Sequence, residues 1–467
     1  MASTYLYRST DATASSGYSS TWTWSGWVKR SSLSGEQGIF MNKKDSDNTA
    51  SRFRMSFGSG GNLLWECKDS SNSDDNSFVT NMLFRDTNAW YHIVFSYDTT
   101  QGTEANRLKL WVNGVDIRND GGGFSSINEA SSNFGTLWSS ASKHFVGRTS
   151  NNSGTAHIFD GLMSHVHLTY GTTYTASTFG STDSTTGEWK INTDPNVTYG
   201  SQGYFMLKDN ASVTDQSGEG NNFTASGTLT KTEDNPSNVF CTWNPLSKHP
   251  SCGHTYAWGN NKITMTTSRG STAGTLGIPN NKGKFYWEIK VATQAQDGRL
   301  ELGLQPFSNV EANDSTNANN KGLGLNGYNG YIYYSGSSLN NFYNTVGGFT
   351  SFTGIIGIAV DLTSATKTMA MSRDGAWITG QNATSTDFSN ALKVDITSSV
   401  DNYSHWLPMA GSGNGSGTGG VIETNFGNGY FADNAVSSAG TNASGNGIFE
   451  YDVPTGYTAL STKGLNL

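Results

Sequence analysis

Leu108–Ile117, LKLWVNGVDI, is the stretch whose reading decides the fold class. Leu108, Leu110 and Val112 recur with period two and share one face of a strand. Asn113-Gly114 then supplies two residues that tolerate positive φ, as a type I′ turn demands, so the segment predicts a β-hairpin. The same alternation continues outward. Upstream, Trp90–Asp98, WYHIVFSYD, sends Tyr91, Ile93, Phe95 and Tyr97 one way and His92, Val94 and Ser96 the other. Trp22–Arg30, WTWSGWVKR, sets Trp22, Trp24 and Gly26 against Thr23, Ser25 and Trp27. Ser51–Phe57 and Asn62–Lys68 form a pair around Gly58–Gly61, and Phe145–Arg148 and Phe159–Leu168 follow as short strands. No segment of this half carries a helical apolar stripe over more than two turns.

The chain has 467 residues, long enough for two or three domains. Only 14% of residues are charged, while aromatics reach 12%, which favours folded β cores over disorder. The net charge is −8 and no Lys/Arg cluster interrupts the sequence, so nucleic acid is not an expected partner. The longest apolar run, Ile355–Val360, is far too short to span a bilayer, and no membrane insertion is expected. The N-terminal MASTYLYRST lacks the apolar core of a signal peptide. Cys67, Cys241 and Cys252 form an odd set without CxxC or zinc spacing, and read as free thiols made in a reducing cytoplasm.

Asp215–Leu246 is crowded with Gly, Asn, Ser, Thr and Asp and separates two sets of strands. Its first part, with Gly203–Lys208, is expected to complete the first domain. The expected division is 1–229, a linker at 230–239, and 240–467. In the second half, Trp258–Thr267 reads as a strand. Gly283–Val291 points Phe285, Trp287, Ile289 and Val291 inward and Tyr286, Glu288 and Lys290 outward. Leu300–Leu304, Gly330–Ser335 and Ile355–Leu362 continue the pattern. Arg373-Asp374-Gly375 joins Thr368–Ser372 to Ala376–Ile378 as a second hairpin, and Gly411–Gly420 reads as a flexible loop between strands.

The ordered motifs Trp27-Val28-Lys29, Trp90–Asp98, Leu108–Gly114, Val146-Gly147 and Phe159–Leu168 resemble the concanavalin A-like, laminin G-type jelly rolls. That resemblance implies a module that binds sugars, proteins or lipids, often through Ca²⁺ at the sandwich rim, with glucanases among its members. Phe285–Ile289, Gly303-Leu304, Gly354–Asp361, Met371–Gly375, Trp406–Met409 and Val421–Gly427 resemble the SPRY (B30.2-like) fold, which implies a second binding module rather than an enzyme. The C-terminal Phe449–Leu460, the seam's DQSGEGNNF and the opening strands together look like marine bacteriophage virion proteins. The expected architecture is therefore all-β, two tandem antiparallel β-sandwiches, a concanavalin A-like jelly roll followed by a SPRY-like sandwich.

The glucanase branch requires two carboxylates about 5 Å apart. Glu66 and Asp69 do not alternate correctly and Glu188 stands alone, so no catalytic residue is assigned and no enzyme activity is expected. Asp45 and Asp47, in an Asp-x-Asp loop, with Asp98 and Asp160 near strand ends, are the Ca²⁺ candidates; no other cofactor is required. His165-Val166-His167 lacks a third metal ligand and reads as an outward polar strand, and Glu288 as a cross-strand partner of a cation. Trp138, Tyr174, Tyr328, Tyr331, Tyr333, Tyr334 and Tyr343 are the candidates for stacking on glycan rings.

The expected role is adhesion from a virion surface, as a fibre or capsid appendage binding host-surface glycan or other virion subunits. Synthesis in the host cytoplasm and assembly as a homo-oligomer are expected with it. The alternative is a capsid decoration or tail connector protein with no host ligand, and a polysaccharide depolymerase is the third class.

Overall fold

In the computed structural model the chain divides into two compact units, Met1–Lys231 and Thr232–Leu467. The structure describes residues 4–9, 18–44, 52–68, 74–138, 142–150, 155–208, 212–250, 252–265, 270–295, 300–309, 322–327, 330–334, 337–341, 352–380, 383–412 and 419–466.

The first unit is a sandwich of two antiparallel sheets. One runs in the order Phe124–Asn128, Asp74–Leu83, Asn62–Lys68, Arg52–Phe57, Gln37–Lys44, Ser142–Val146, Tyr5–Ser9, Thr224–Ser226. The other runs Val115–Asp116, Leu108–Val112, Tyr91–Asp98, Thr21–Arg30, Gly161–Tyr170, Tyr204–Met206. The expected hairpin is present, with Asn113 and Gly114 at φ 48° and 81°. Tyr91, Ile93, Phe95 and Tyr97 all enter the core, as their alternation requires. Trp22 is its hub, stacked 5.2 Å from Tyr97 and 5.3 Å from Phe53. Such rings bury large apolar areas and add geometric preference, and they pack among aliphatic side chains such as Ile39, Ile93, Leu110 and Leu168 in the same core.

The opposite face of the six-stranded sheet is covered by the chain's own residues 171–199. The short helix Ala176–Phe179 and the pair Gly180–Thr182 and Trp189–Ile191 bring Phe179, Tyr174 and Trp189 against Val94 and Trp111. This covering overturns the reading of His165–His167 as an outward polar strand. His167 is buried, with its ring 4.0 Å from Phe205 and its Nδ1 2.9 Å from the Tyr199 hydroxyl. A register shift between Ser164 and His167, with His165 at φ 48°, breaks the simple alternation there.

The N-terminal side of the seam lies within the first unit. Tyr204–Met206 pairs with Gly161–Tyr170, and Thr224–Ser226 pairs with Tyr5–Ser9. Between them Asp215 accepts the backbone N–H groups of Phe205, Ser217 and Asn221, which ties the turn. The stretch expected as a linker is held rather than slack. Glu233 N–H donates to Asn428 O, Asn238 Nδ2 donates to Asn446 Oδ1, and Val239 and Thr462 exchange hydrogen bonds.

The second unit is also an antiparallel sandwich. One sheet runs Trp243–Lys248, Gly270–Gly274, His405–Ser412, Leu300–Pro306, Leu323–Asn326, Tyr331–Tyr334, Ser337–Asn341. The other runs Thr255–Ala257, Lys262–Thr264, Val421–Asn425, Lys284–Thr293, Gly354–Asp361, Thr368–Arg373, Ala376–Gly380, Ala383–Ser385. Phe285, Trp287, Ile289 and Val291 meet Ile356, Ile358, Val360 and Leu362 in the core. Where a single strand is expected from Trp258, the chain instead turns at Trp258, Gly259 and Asn260, which take positive φ and join Thr255–Ala257 to Lys262–Thr264 as a hairpin. The expected strand's end at Thr266 and Thr267 lies outside the described residues.

The outward assignment of Tyr286 and Glu288 is also corrected. Residues 446–460 fold over that face, and Phe449, Val453 and Tyr457 pack with Tyr286 and Trp377. Glu288 is fully buried beneath them. It accepts the backbone N–H groups of Glu450 and Tyr451, each at 2.9 Å, and the Tyr286 hydroxyl at 3.0 Å. Burial pushes its carboxyl up to about 7, against the pull of these donors. It latches the C-terminal segment and, among the described residues, accepts from these donors rather than from a Lys or Arg.

Candidate ligand-binding groove

The outer face of the eight-stranded sheet in the first unit carries two cross-strand rows fixed by register. In one, Tyr7 stands opposite Phe145, Phe145 opposite Met41, Met41 opposite Arg54, and Arg54 opposite Glu66. In the other, Lys143 stands opposite Lys43, Lys43 opposite Arg52, and Arg52 opposite Lys68. Period two explains why both rows lie on the same side of the sheet: successive residues of a strand face opposite sides, and neighbours across strands face the same side.

At the end of the sheet built from Gln37–Lys44, Ser142–Val146, Tyr5–Ser9 and Thr224–Ser226, these rows enclose a groove of about 530 Å³. Its walls are the half-buried rings of Tyr5, Tyr7 and Phe145, with centroids 6.1 to 6.4 Å apart. Lys43, Lys143 and Arg148 line the same space, with Ala225 and Ser226 at the far edge. The Arg148 guanidinium lies over the Tyr5 ring at 4.7 Å and over Phe145 at 5.1 Å. Guanidinium groups favour such faces because the ring's negative quadrupole attracts them.

Beside the groove the sheet face is an ion network. Glu66 accepts Arg52 at 2.7 Å and Arg54 at 3.1 Å, and Arg54 also reaches Glu36 at 2.6 Å. These pairs fix the middle of the sheet face and leave the aromatic end as the concave, chemically mixed part. Aromatic faces flanked by hydrogen-bonding groups are what a saccharide ring needs, apolar C–H contact on one side and polar contact at its hydroxyl groups.

None of the groove residues was among the sequence candidates. The signal was present in Tyr5-Leu6-Tyr7 and Lys143-His144-Phe145, each placing two large residues on one strand face, but only register brings the segments together.

The candidates that sequence did name are scattered. Trp138 is a correction: it is fully buried, stacked 5.6 Å from His144, and offers no face to a ligand. Tyr174 is half-buried in the covering segment, its ring against Phe179 and its hydroxyl accepting Thr198 N–H at 2.8 Å. Tyr333 and Tyr334 are half-buried on Tyr331–Tyr334, and Tyr334 packs against the second core. The Tyr331 side chain, Tyr328 and Tyr343 lie outside the described residues, as do Asp45 and Asp47.

Asp98 and Asp160 do not fit a shared cation. Asp98 stands opposite Thr21 at one end of Thr21–Arg30, whereas Asp160 precedes Gly161, which stands opposite Arg30 at the other end. At the rise of a strand that separation is about 30 Å. Asp98 also spends its oxygens on its own turn, accepting Thr100 N–H at 3.1 Å and Gln101 Nε2 at 2.7 Å.

One pair resembles a nucleophile and base. Ser25 Oγ lies 2.9 Å from His92 Nε2. Trp189 Nε1–H, however, donates to His92 Nδ1 at 2.9 Å, so the neutral ring carries its proton on Nε2 and donates to Ser25. A base for Ser25 would need that nitrogen bare. The Ser25–His92–Trp189 chain is a structural tie that fastens the covering segment to the sheet.

Residues 3–172 match the laminin G-type model of the Concanavalin A-like lectin/glucanases superfamily. This match contains three of the groove's four strands. No curated protein matches the chain. Among solved structures, the SPRY domain of human HERC1 is similar at 14% identity, over 39% of this chain and 96% of that one, with a TM-score of 0.27. The heptameric SAP-like pentraxin of Limulus polyphemus is similar at 13% identity, over 49% and 90%, with a TM-score of 0.30. The Ruminococcus gnavus IT-sialidase CBM40 bound to α2,3-sialyllactose is similar at 15% identity, over 32% and 74%, with a TM-score of 0.24.

Proposed function

We propose that this chain is a glycan-binding adhesion protein carried on the surface of a bacteriophage particle, and that it binds without a catalytic step. The observation that carries the binding reading is the groove itself, three aromatic rings and flanking polar side chains gathered on one sheet face of a lectin-like sandwich. The viral setting is supported by the resemblance of Phe449–Leu460, the seam and the opening strands to virion proteins. The second sandwich, in this reading, attaches the chain to other virion subunits.

The test is a glycan array with the full chain, followed by titration of the strongest ligand. Tyr7→Ala and Phe145→Ala are expected to weaken that ligand about tenfold, or ~1.4 kcal/mol each, with the fold retained. Binding to capsids or tails with no response to any glycan would replace adhesion by a decoration or connector role. Release of reducing ends from host polysaccharide would restore an enzymatic reading.

A further inference from the structure

Resting on the glycan-binding reading above, the geometry points to an acidic saccharide as the ligand, with Arg148 anchoring its carboxylate or sulfate while a sugar ring lies against Tyr7 and Phe145.

Four cations, Lys43, Lys44, Lys143 and Arg148, line the groove, and no carboxylate is among its described lining residues. This stands against a chain whose net charge is −8. The register sets Lys143 directly opposite Lys43, and Lys43 directly opposite Arg52.

Arg148 adds an independent observation. Among the described residues its guanidinium makes only ring contacts, over Tyr5 and Phe145, and its Nε is buried without a hydrogen-bond acceptor. A buried donor left unpaired is costly, and an incoming oxyanion supplies the missing acceptor. The planar fork matches a carboxylate or sulfate bidentately, and the two rings already hold its plane, so little side-chain freedom is lost on binding. The adjoining Tyr7 and Phe145 faces favour a sugar over a bare inorganic anion, and the groove's volume suits a short saccharide.

Calorimetric titration of the full chain with three probes tests this: a galacturonate oligosaccharide, a sulfated heparin-type oligosaccharide, and a neutral cello-oligosaccharide. One acidic series is expected to bind at least tenfold tighter than the neutral one and to lose at least tenfold between 50 and 300 mM NaCl; which series it is tells carboxylate from sulfate. Arg148→Gln is expected to lose at least tenfold for the acidic ligand, and Arg148→Lys, which keeps charge without the fork, to lose less. Should Arg148→Gln fail to fold, Lys43→Gln with Lys143→Gln gives the same reading at several-fold loss. Equal binding of neutral and acidic probes, indifferent to salt and to Arg148→Gln but weakened by Tyr7→Ala, overturns the acidic inference and leaves glycan binding standing. Absence of binding to every saccharide overturns both.

Discussion

At Gly114 the backbone takes φ 81°, and an added Cβ would lie 2.4 Å from the Trp189 ring. Gly114→Ala therefore meets both a left-handed backbone and a ring that is itself bonded to His92. The expected cost is about 2 kcal/mol, read as a lowered midpoint in denaturant unfolding, and an unchanged midpoint would refute the close approach. This turn was legible in the sequence because Asn113-Gly114 states its backbone requirement locally. Trp138 and Glu288 were not legible, since what buries each is chain remote in sequence. A tryptophan between Leu137 and Ser139 reads the same whether it faces solvent or sits against Trp22 and Phe53. The groove failed to show for a related reason: Tyr5, Lys43, Phe145 and Ala225 lie on four separate segments, and no local pattern announces their register.

At the scale of an element, each sandwich is closed by a segment that folds back over one of its sheets. In the second unit the latch is Glu288, and Glu288→Ala would leave the Glu450 and Tyr451 N–H groups and the Tyr286 hydroxyl without their acceptor. A loss of about 3 kcal/mol is expected, with hydrogen exchange at Glu450 and Tyr451 quickening before exchange in Lys284–Thr293. Uniform quickening across the unit would show that the tail is not a separate latch. In the first unit Trp189 plays the corresponding part over His92, whose pKa burial holds down at about 3. Trp189→Ala removes both the cover and the opposing N–H donor. His92 is then expected to titrate closer to 6.5 in an NMR pH series, and a resonance still unchanged between pH 7.5 and 5 would count against the tie. Strand periodicity could not foresee these covers, because it reports which residues share a face and not what later chain lies upon it.

For the whole molecule, three buried neutral histidines make acid the weak side of the first unit. Burial lowers His92, His144 and His167 below their ordinary value, most of all through lost hydration of the charged ring. Above about pH 6.5 neither state protonates them and their contribution to stability is complete. As pH falls below that, the unfolded chain binds protons that the folded chain refuses, and stability drops until the folded values are reached, about 3 for His92. Each contributes a slope approaching ~1.4 kcal/mol per pH unit, together about 4 kcal/mol per unit once the pH is well below 6.5. Calorimetry between pH 7.5 and 5 should show the first unit's melting temperature falling steeply in the lower half of the range, and a flat profile would refute the neutral assignment. One connection reaches further. Leu6 pairs with Ala225, so the strand that begins the first unit is flanked by the strand that ends it. Contacts this distant along the chain form slowly, because the intervening segment must be ordered first. During synthesis the groove cannot exist until Ser226 has left the ribosome, although the Trp22 core can assemble earlier. In refolding, tryptophan fluorescence should recover ahead of ligand binding, which makes binding competence a mark of the finished unit.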